Sequence, residues 1–273
     1  MPLFKYCGES GLKVLTNLEI KVTPPNEFND PFEFSPVVSC GDRKAQALRD
    51  TQRVIDHPAF FQANRASFPQ CRDFCEFQSF VRANFNHVAA TIEAATPEMD
   101  AQFQKEILSA FSEKFGVICF SSAPTEPLMW AHYASSHTGI LIEFDETNKV
   151  FNNPSFLRVD YHADRATYDP DGRPNAAAVA TFARRKSLHW SYEQESRLLI
   201  DLALTHKVAG TPAMFLLSIE LQLIKSVTLG LCSSAAVREE VLALASTPPL
   251  LHMEVFRIEA DAKAFKLHRK KIK

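Results

Sequence analysis

Glu193, Glu195 and Arg197 stand two residues apart in the run Leu188-His189-Trp190-Ser191-Tyr192-Glu193-Gln194-Glu195-Ser196-Arg197. Strand side chains repeat every two residues, so a strand beginning near Glu193 puts two carboxylates and a guanidinium on one face. Such a set is costly to bury. One solution is a solvated edge strand with Glu195 and Arg197 as a neighbour pair. The other is a cleft in which one glutamate acts and the arginine orients it or binds an anion. Leu198, Leu199 and Ile200 follow directly, which sends the strand inward and favours a cleft mouth. A second segment, Met129-Trp130-Ala131-His132-Tyr133-Ala134, is followed by His137 and Gly139. On a helix Trp130 and Tyr133 project from one side and His132 elsewhere, as part of a polar pocket or as plain core aromatics with a structural histidine. The third is Phe4-Lys5-Tyr6 with the turn Phe28-Asn29-Asp30-Pro31-Phe32-Glu33. Pro31 holds Asp30 extended and gives its carboxylate a defined direction. The alternative is that Asn29 and Asp30 bond only to the turn backbone.

These segments need elements to hold them. Residues 3–6 read as a strand, 11–18 as a helix with Leu12, Leu15 and Leu18 in phase, and 19–23 as a half-buried strand. Pro24-Pro25 and Asn29-Asp30-Pro31 force two turns around a compact loop. From 42 to 114 glycine is absent and phenylalanine recurs (Phe60, Phe61, Phe68, Phe74, Phe77, Phe80, Phe85), which predicts helices over 46–55, 71–85 and 98–115. Basic residues are too sparse there for a base-stacking platform, so these faces read as core. Strands are expected at 116–121, 140–144, 157–161, 195–201, 214–219, 226–229 and 251–258, and helices at 127–134, 176–187 and 235–245. A turn-rich stretch spans 170–175. The expected whole is one α+β domain over 1–273, with a helical insertion at 42–114.

Net charge is -2 and the pI near 6.5, so no global field recruits nucleic acid or membrane. Only the run Lys266–Lys273 is strongly basic, either a frayed, solvated tail or an electrostatic contact for nucleic acid. The six cysteines contain no CxxC pair. Cys71, Cys75 and His57 lack a fourth ligand at zinc spacing, so no metal is expected. Reduced thiols, with neither a signal-peptide stretch nor a membrane-length apolar run, point to the cytoplasm. Glycine-rich phosphate loops, His-Glu-x-x-His and Gly-x-Ser-x-Gly are missing, which argues against kinases, zincins and α/β-hydrolases.

Phe4-Lys5-Tyr6, Phe28-Asn29-Asp30-Pro31-Phe32, Cys119-Phe120-Ser121, Met129-Trp130-Ala131-His132-Tyr133 with Gly139, and Trp190-Tyr192-Glu193-Glu195-Arg197 together resemble the bacterial family of domain of unknown function 2971. The resemblance covers most of the chain outside the helical insertion. Where the family follows the Lys-Tyr pair with arginine, this chain has Cys7. The layout in turn resembles ADP-ribosyltransferases, with a polar first-strand residue, central aromatics and a late Glu-x-Glu. That implies a mixed split sheet, NAD as substrate, Glu195 and Glu193 as catalytic carboxylates, and an oxocarbenium-like transition state. Lys5 or Tyr6 would touch NAD phosphates or ribose, and Trp130 and Tyr133 would wall the nicotinamide. Asp30, His132 and Arg197 complete the binding set. A toxin or anti-phage effector modifying a nucleic acid or protein, with or without a restraining partner, fits this reading. The alternatives are a ligand-sensing or interaction module of the same fold, and a metal-independent nuclease.

Overall fold

The first strand shows how the sheet is built. Alternation along Leu3–Cys7 sends Leu3 and Cys7 into one apolar cluster and Phe4 and Tyr6 into another, so both faces of the strand are covered. In the computed structural model, which describes residues 1–38, 45, 49–53, 55–168, 176–210 and 213–273, this strand lies inside a mixed eight-stranded sheet. The strand order is Leu267–Lys271, Glu254–Ala260, Ile224–Leu229, Ile140–Phe144, Leu3–Cys7, Phe115–Ser121, Glu195–Asp201, Phe156–Arg158. Neighbours are antiparallel except Ile224–Leu229 and Glu254–Ala260, which run parallel around the helix Ala235–Ala245. Ser234 caps that helix, its Oγ accepting from the Val237 N–H, and Val237, Val241 and Ala245 recur four apart on its buried face. The α+β class expected from the sequence is the class observed.

One junction in the sheet is incomplete. Leu3–Cys7 pairs along its whole length with Ile140–Phe144 but meets Phe115–Ser121 in register only at Phe4↔Ser121. Beyond that point Val117 bonds Thr23 instead, through two backbone bonds of 2.9 and 3.0 Å. The strands part, and a cavity occupies the gap.

The chain divides into two compact units, one of residues 1–34, 108–165 and 180–273 and the other of 35–107 and 166–179. The second contains the short helix Pro58–Ala63, most of the helix Phe74–Lys114, and a core of Phe61, Cys71 and Phe77 flanked by Phe60, Phe68 and Phe74. Val37–Val38 pairs with Thr167–Tyr168 in it. The two helices expected over 71–85 and 98–115 are one continuous helix, with Pro97 inside it. Cys40, residues 46–48 and 54 of the expected 46–55 helix, and the 170–175 turn lie outside the described residues.

Several expectations shift locally. The basic C-terminal run forms the strand Leu267–Lys271, not a frayed tail. Three cations of the strand are paired: Arg269 bonds Glu143, Ser226 and Thr228, Lys270 pairs with Glu259, and Lys271 pairs with Glu254. The 157–161 strand breaks into Phe156–Arg158 and Asp160–His162. The helix expected over 176–187 stops at Arg184, and Arg185–Ser187 pairs in parallel with Asp160–His162. Among the described residues no helix is long and apolar enough to cross a membrane.

Candidate functional site

The Glu-x-Glu-x-Arg segment is built differently from a simple strand. Leu188–Glu193 is a 3-10 helix, Gln194 turns left-handed (φ 45°, ψ 52°), and the strand begins at Glu195. The turn is pinned on both sides. Ser121 Oγ donates to the Glu193 carbonyl at 2.6 Å, Ser122 N to the Gln194 carbonyl at 3.2 Å, and Glu195 N to Tyr161 Oη at 2.8 Å. Glu195 and Arg197 share a face as the two-residue spacing suggested, Glu193 joins them across the left-handed Gln194, and the set is not on a solvated edge. Glu193, Glu195 and Arg197 are 3, 4 and 0 % exposed, Glu193 at the end of the 3-10 helix and Glu195 and Arg197 on a strand flanked by two others.

Burial is tolerated because the charges are paired. Lys186 Nζ sits 2.5 Å from Glu193, 2.9 Å from Glu195 and 3.0 Å from Glu33. Arg197 grips Glu195 through Nε at 2.8 Å and Nη2 at 2.9 Å, bonds Glu33 through Nη2, and donates Nη1 to the Ala183 carbonyl at 2.9 Å. Its guanidinium lies 5.6 and 5.3 Å from the rings of Phe28 and Phe34. Three carboxylates against two cations leave one negative charge in excess, so one proton neutralises the cluster.

The carboxyls are not equivalent. Burial pushes Glu193 up, and its one cation, Lys186, and the Tyr133 hydroxyl at 2.6 Å do not bring it back. Burial raises Glu33 too, with Arg197 and Lys186 opposing. Glu195 feels the same desolvation, but Arg197 and Lys186 outweigh it and hold its carboxyl far below the usual range. Lys186 is the mirror image: burial would lower it, but Glu195, Glu33 and Glu193 raise it, so it stays an ammonium. Burial thus raises the proton affinity of both Glu193 and Glu33, and Glu193 has fewer cations opposing it.

The cavity, 350 Å³ in volume, opens where the first strand leaves Phe115–Ser121, and Glu193, Glu195, Lys186, Tyr133, His132 and Lys5 all line it. The helix Pro127–Tyr133 presents Tyr133: Glu126 accepts from the Leu128 N–H to cap it, and Met129 and Trp130 anchor its buried side. Burial and neighbouring Glu193 push the Tyr133 hydroxyl well up, so it remains a donor. His132 is exposed at the cavity wall, its ring 6.4 Å from that of Trp190. Tyr161, which receives the Glu195 N–H, is pushed up to about 12, chiefly by burial. Among the described residues no group of His, Cys, Asp or Glu is arranged to hold a metal ion.

Of the residues singled out from sequence, Glu195, Glu193, Lys5, Tyr6, His132 and Tyr133 share this cavity. Three lie off it. Trp130 is fully buried, its Nε1 donating to the Pro124 carbonyl at 2.9 Å and its ring set edge-on to Tyr6. Asp30 closes its own turn, Oδ1 accepting from the Phe32 N–H at 2.9 Å. Arg197 stands behind Glu195 as a framework cation. Tyr6 gives its hydroxyl to the Ala123 carbonyl, so only its ring contributes to the wall. Lys186 and the place of Glu33 in the buried cluster were not read from sequence. Lys186 follows two arginines at a helix end, where a cation is ordinary. The strand Arg185–Ser187, in which Lys186 pairs with Tyr161, places it against the glutamates seven and nine residues on.

No curated protein and no solved structure matches the chain. Residues 129–198, which run from the Tyr133 helix through Lys186 to the Glu193–Arg197 turn, match the family model described as "Protein of unknown function (DUF2971)", and the resemblance to that family holds over this segment.

Proposed function

We propose that the cavity is the active site of an NAD-consuming ADP-ribosyltransferase acting on a macromolecule. The observation that carries this reading is the pair of adjacent glutamates on one cavity with opposite pKa shifts, Glu193 up and Glu195 down. Neighbouring carboxyls pushed apart in this way are the arrangement that separates acid–base from electrostatic roles. The nicotinamide–ribose bond breaks with its electron pair going to the pyridinium nitrogen, so the leaving group departs neutral and needs no acid. The ribose carbon becomes oxocarbenium-like, and the fixed negative charge of Glu195 stabilises it. Glu193, in its ionised form a stronger base than an exposed glutamate, takes the proton of the attacking acceptor group. The excess negative charge of the cluster suits a cationic pyridinium ring, with His132 and Tyr133 beside it.

Incubation with NAD labelled on its adenine half, in the presence of cell lysate, tests transfer. The label should enter macromolecules with wild-type protein and not with Glu193→Gln. A second reading, a binding module without catalysis, is favoured by how completely Arg197 and Lys186 occupy Glu195. It predicts NAD or another ligand bound without turnover, and binding unchanged in Glu193→Gln.

A further inference from the structure

We infer that a second cavity, at the carboxyl ends of the two parallel strands, binds the phosphate of a small organic phosphate. The inference does not rest on the NAD reading, because this cavity shares no lining residue with the first.

The parallel pair makes the cavity. Ile224–Leu229 ends, the chain passes through residues 230–234 into the helix Ala235–Ala245, and Glu254–Ala260 returns beside the first strand with Arg257 opposite Leu229. Such a return leaves a crevice between the strand ends and the start of the helix, the place where parallel α/β units take ligands. Here it measures 360 Å³. Leu229, Leu231, Ile258 and Ala260 give it apolar walls, and Arg238, Arg257 and Glu259 give it charge.

The cations stand where folding alone gives no reason for them. Arg257 is in phase with Val255, which shares the apolar core with Val237 and Val241 of the helix. It lies directly across the antiparallel pair from Lys270, and like charges so placed repel. Glu259 serves both, accepting from Arg257 Nη2 and lying 3.7 Å from Lys270 Nζ. Arg257 Nε is buried with no hydrogen-bond partner, a donor the fold leaves unmet. Arg238 sits in the first turn of its helix, where the macrodipole disfavours a cation. Among the described residues no carboxylate lies within ion-pair distance of it. Arg238, Arg257 and Lys270 against Glu259 leave two positive charges in excess, the complement of a phosphate monoester dianion. Guanidinium forks from two elements suit a tetrahedral oxyanion. The Ser233 hydroxyl is spent on the Gly139 carbonyl, so the arginines carry the recognition. A bare phosphate would leave the apolar walls uncovered, so the ligand carries an organic group beside its phosphate.

Calorimetric titration of the full chain with phenyl phosphate, and with phenol as the phosphate-free control, tests the site. Wild type should bind phenyl phosphate and not phenol. Arg238→Gln and Arg257→Gln should each weaken binding by about tenfold to a hundredfold, the range of a charge-assisted contact. Glu259→Gln, which frees Arg257, should tighten it, a gain that a misfolded variant would not give. Glu193→Gln should bind as wild type does, which separates this cavity from the first. No binding by wild type, equal binding of phenol, binding that survives Arg238→Gln with Arg257→Gln, or binding lost in Glu193→Gln overturns the inference.

Discussion

Glu193 owes its character to what it lacks. Glu195 has Arg197 on both oxygens and Lys186 besides; Glu193 has Lys186 and a tyrosine hydroxyl. Because burial disfavours its charged form, Glu193→Gln puts a neutral amide where charge is already costly. The variant should fold with little change in melting temperature and lose about 100-fold or more in turnover, the usual loss on removing a positioned base. Arg197→Met should behave in the opposite way. It strips Glu195 and Glu33 of their shared cation, and leaving buried charge unpaired costs about 3–5 kcal/mol, which a urea melt would register. If Arg197→Met were neutral, the cluster would not be the ionised network described. Sequence made the shared face of Glu195 and Arg197 legible, because the period of a strand is enough to predict it, whereas Glu193 joins them through a 3-10 helix and the left-handed Gln194. It could not show that the set is buried, because the cations that permit burial depend on Lys186, brought in through a strand pairing with no local signal.

At the scale of elements, the site depends on a gap in a sheet and on turns that hold its walls. Gly139, just after the Tyr133 helix, illustrates the tolerance: a Cβ there would lie 2.1 Å from the Cys7 carbonyl oxygen and 2.9 Å from Gly8 Cα. Both obstacles are backbone. Gly139→Ala should therefore destabilise by about 2–3 kcal/mol, at the upper part of the range for overpacking, measured by denaturant unfolding. Elements with strong periodicity or clear punctuation were readable in advance, among them the strand Ile140–Phe144 and the helix Ala235–Ala245. The early departure of Leu3–Cys7 from Phe115–Ser121 was not, because which distant stretches pair has no local signal, and Val117 pairs with Thr23 from a separate stretch of chain. The long helix Phe74–Lys114 was missed as one element because Pro97 reads as a break from sequence.

For the molecule as a whole, the buried cluster makes stability depend on pH with an unusual sign. Glu193 and Glu33 have raised values in the folded state, so the native protein holds protons that the unfolded chain has released. Stability from these groups is present below the unfolded glutamate value, about 4.3, and is lost as pH rises through the folded ones. Glu195, held low, contributes above its unfolded value, and that contribution is lost only under strong acid. Melting temperatures of wild type and Glu193→Gln between pH 5 and 8 should therefore diverge, the variant gaining on wild type as pH rises. Parallel curves would mean that Glu193 is ionised throughout.

The central claim, that this cavity cleaves NAD with Glu193 as its base, is met most directly by nicotinamide release from NAD. Wild type and Glu193→Gln should be compared with acceptor-containing lysate present and folding verified in the same samples. The account predicts release by wild type and its loss in the folded variant. Equal release from both proteins, or none from a wild type that binds no NAD, would contradict it.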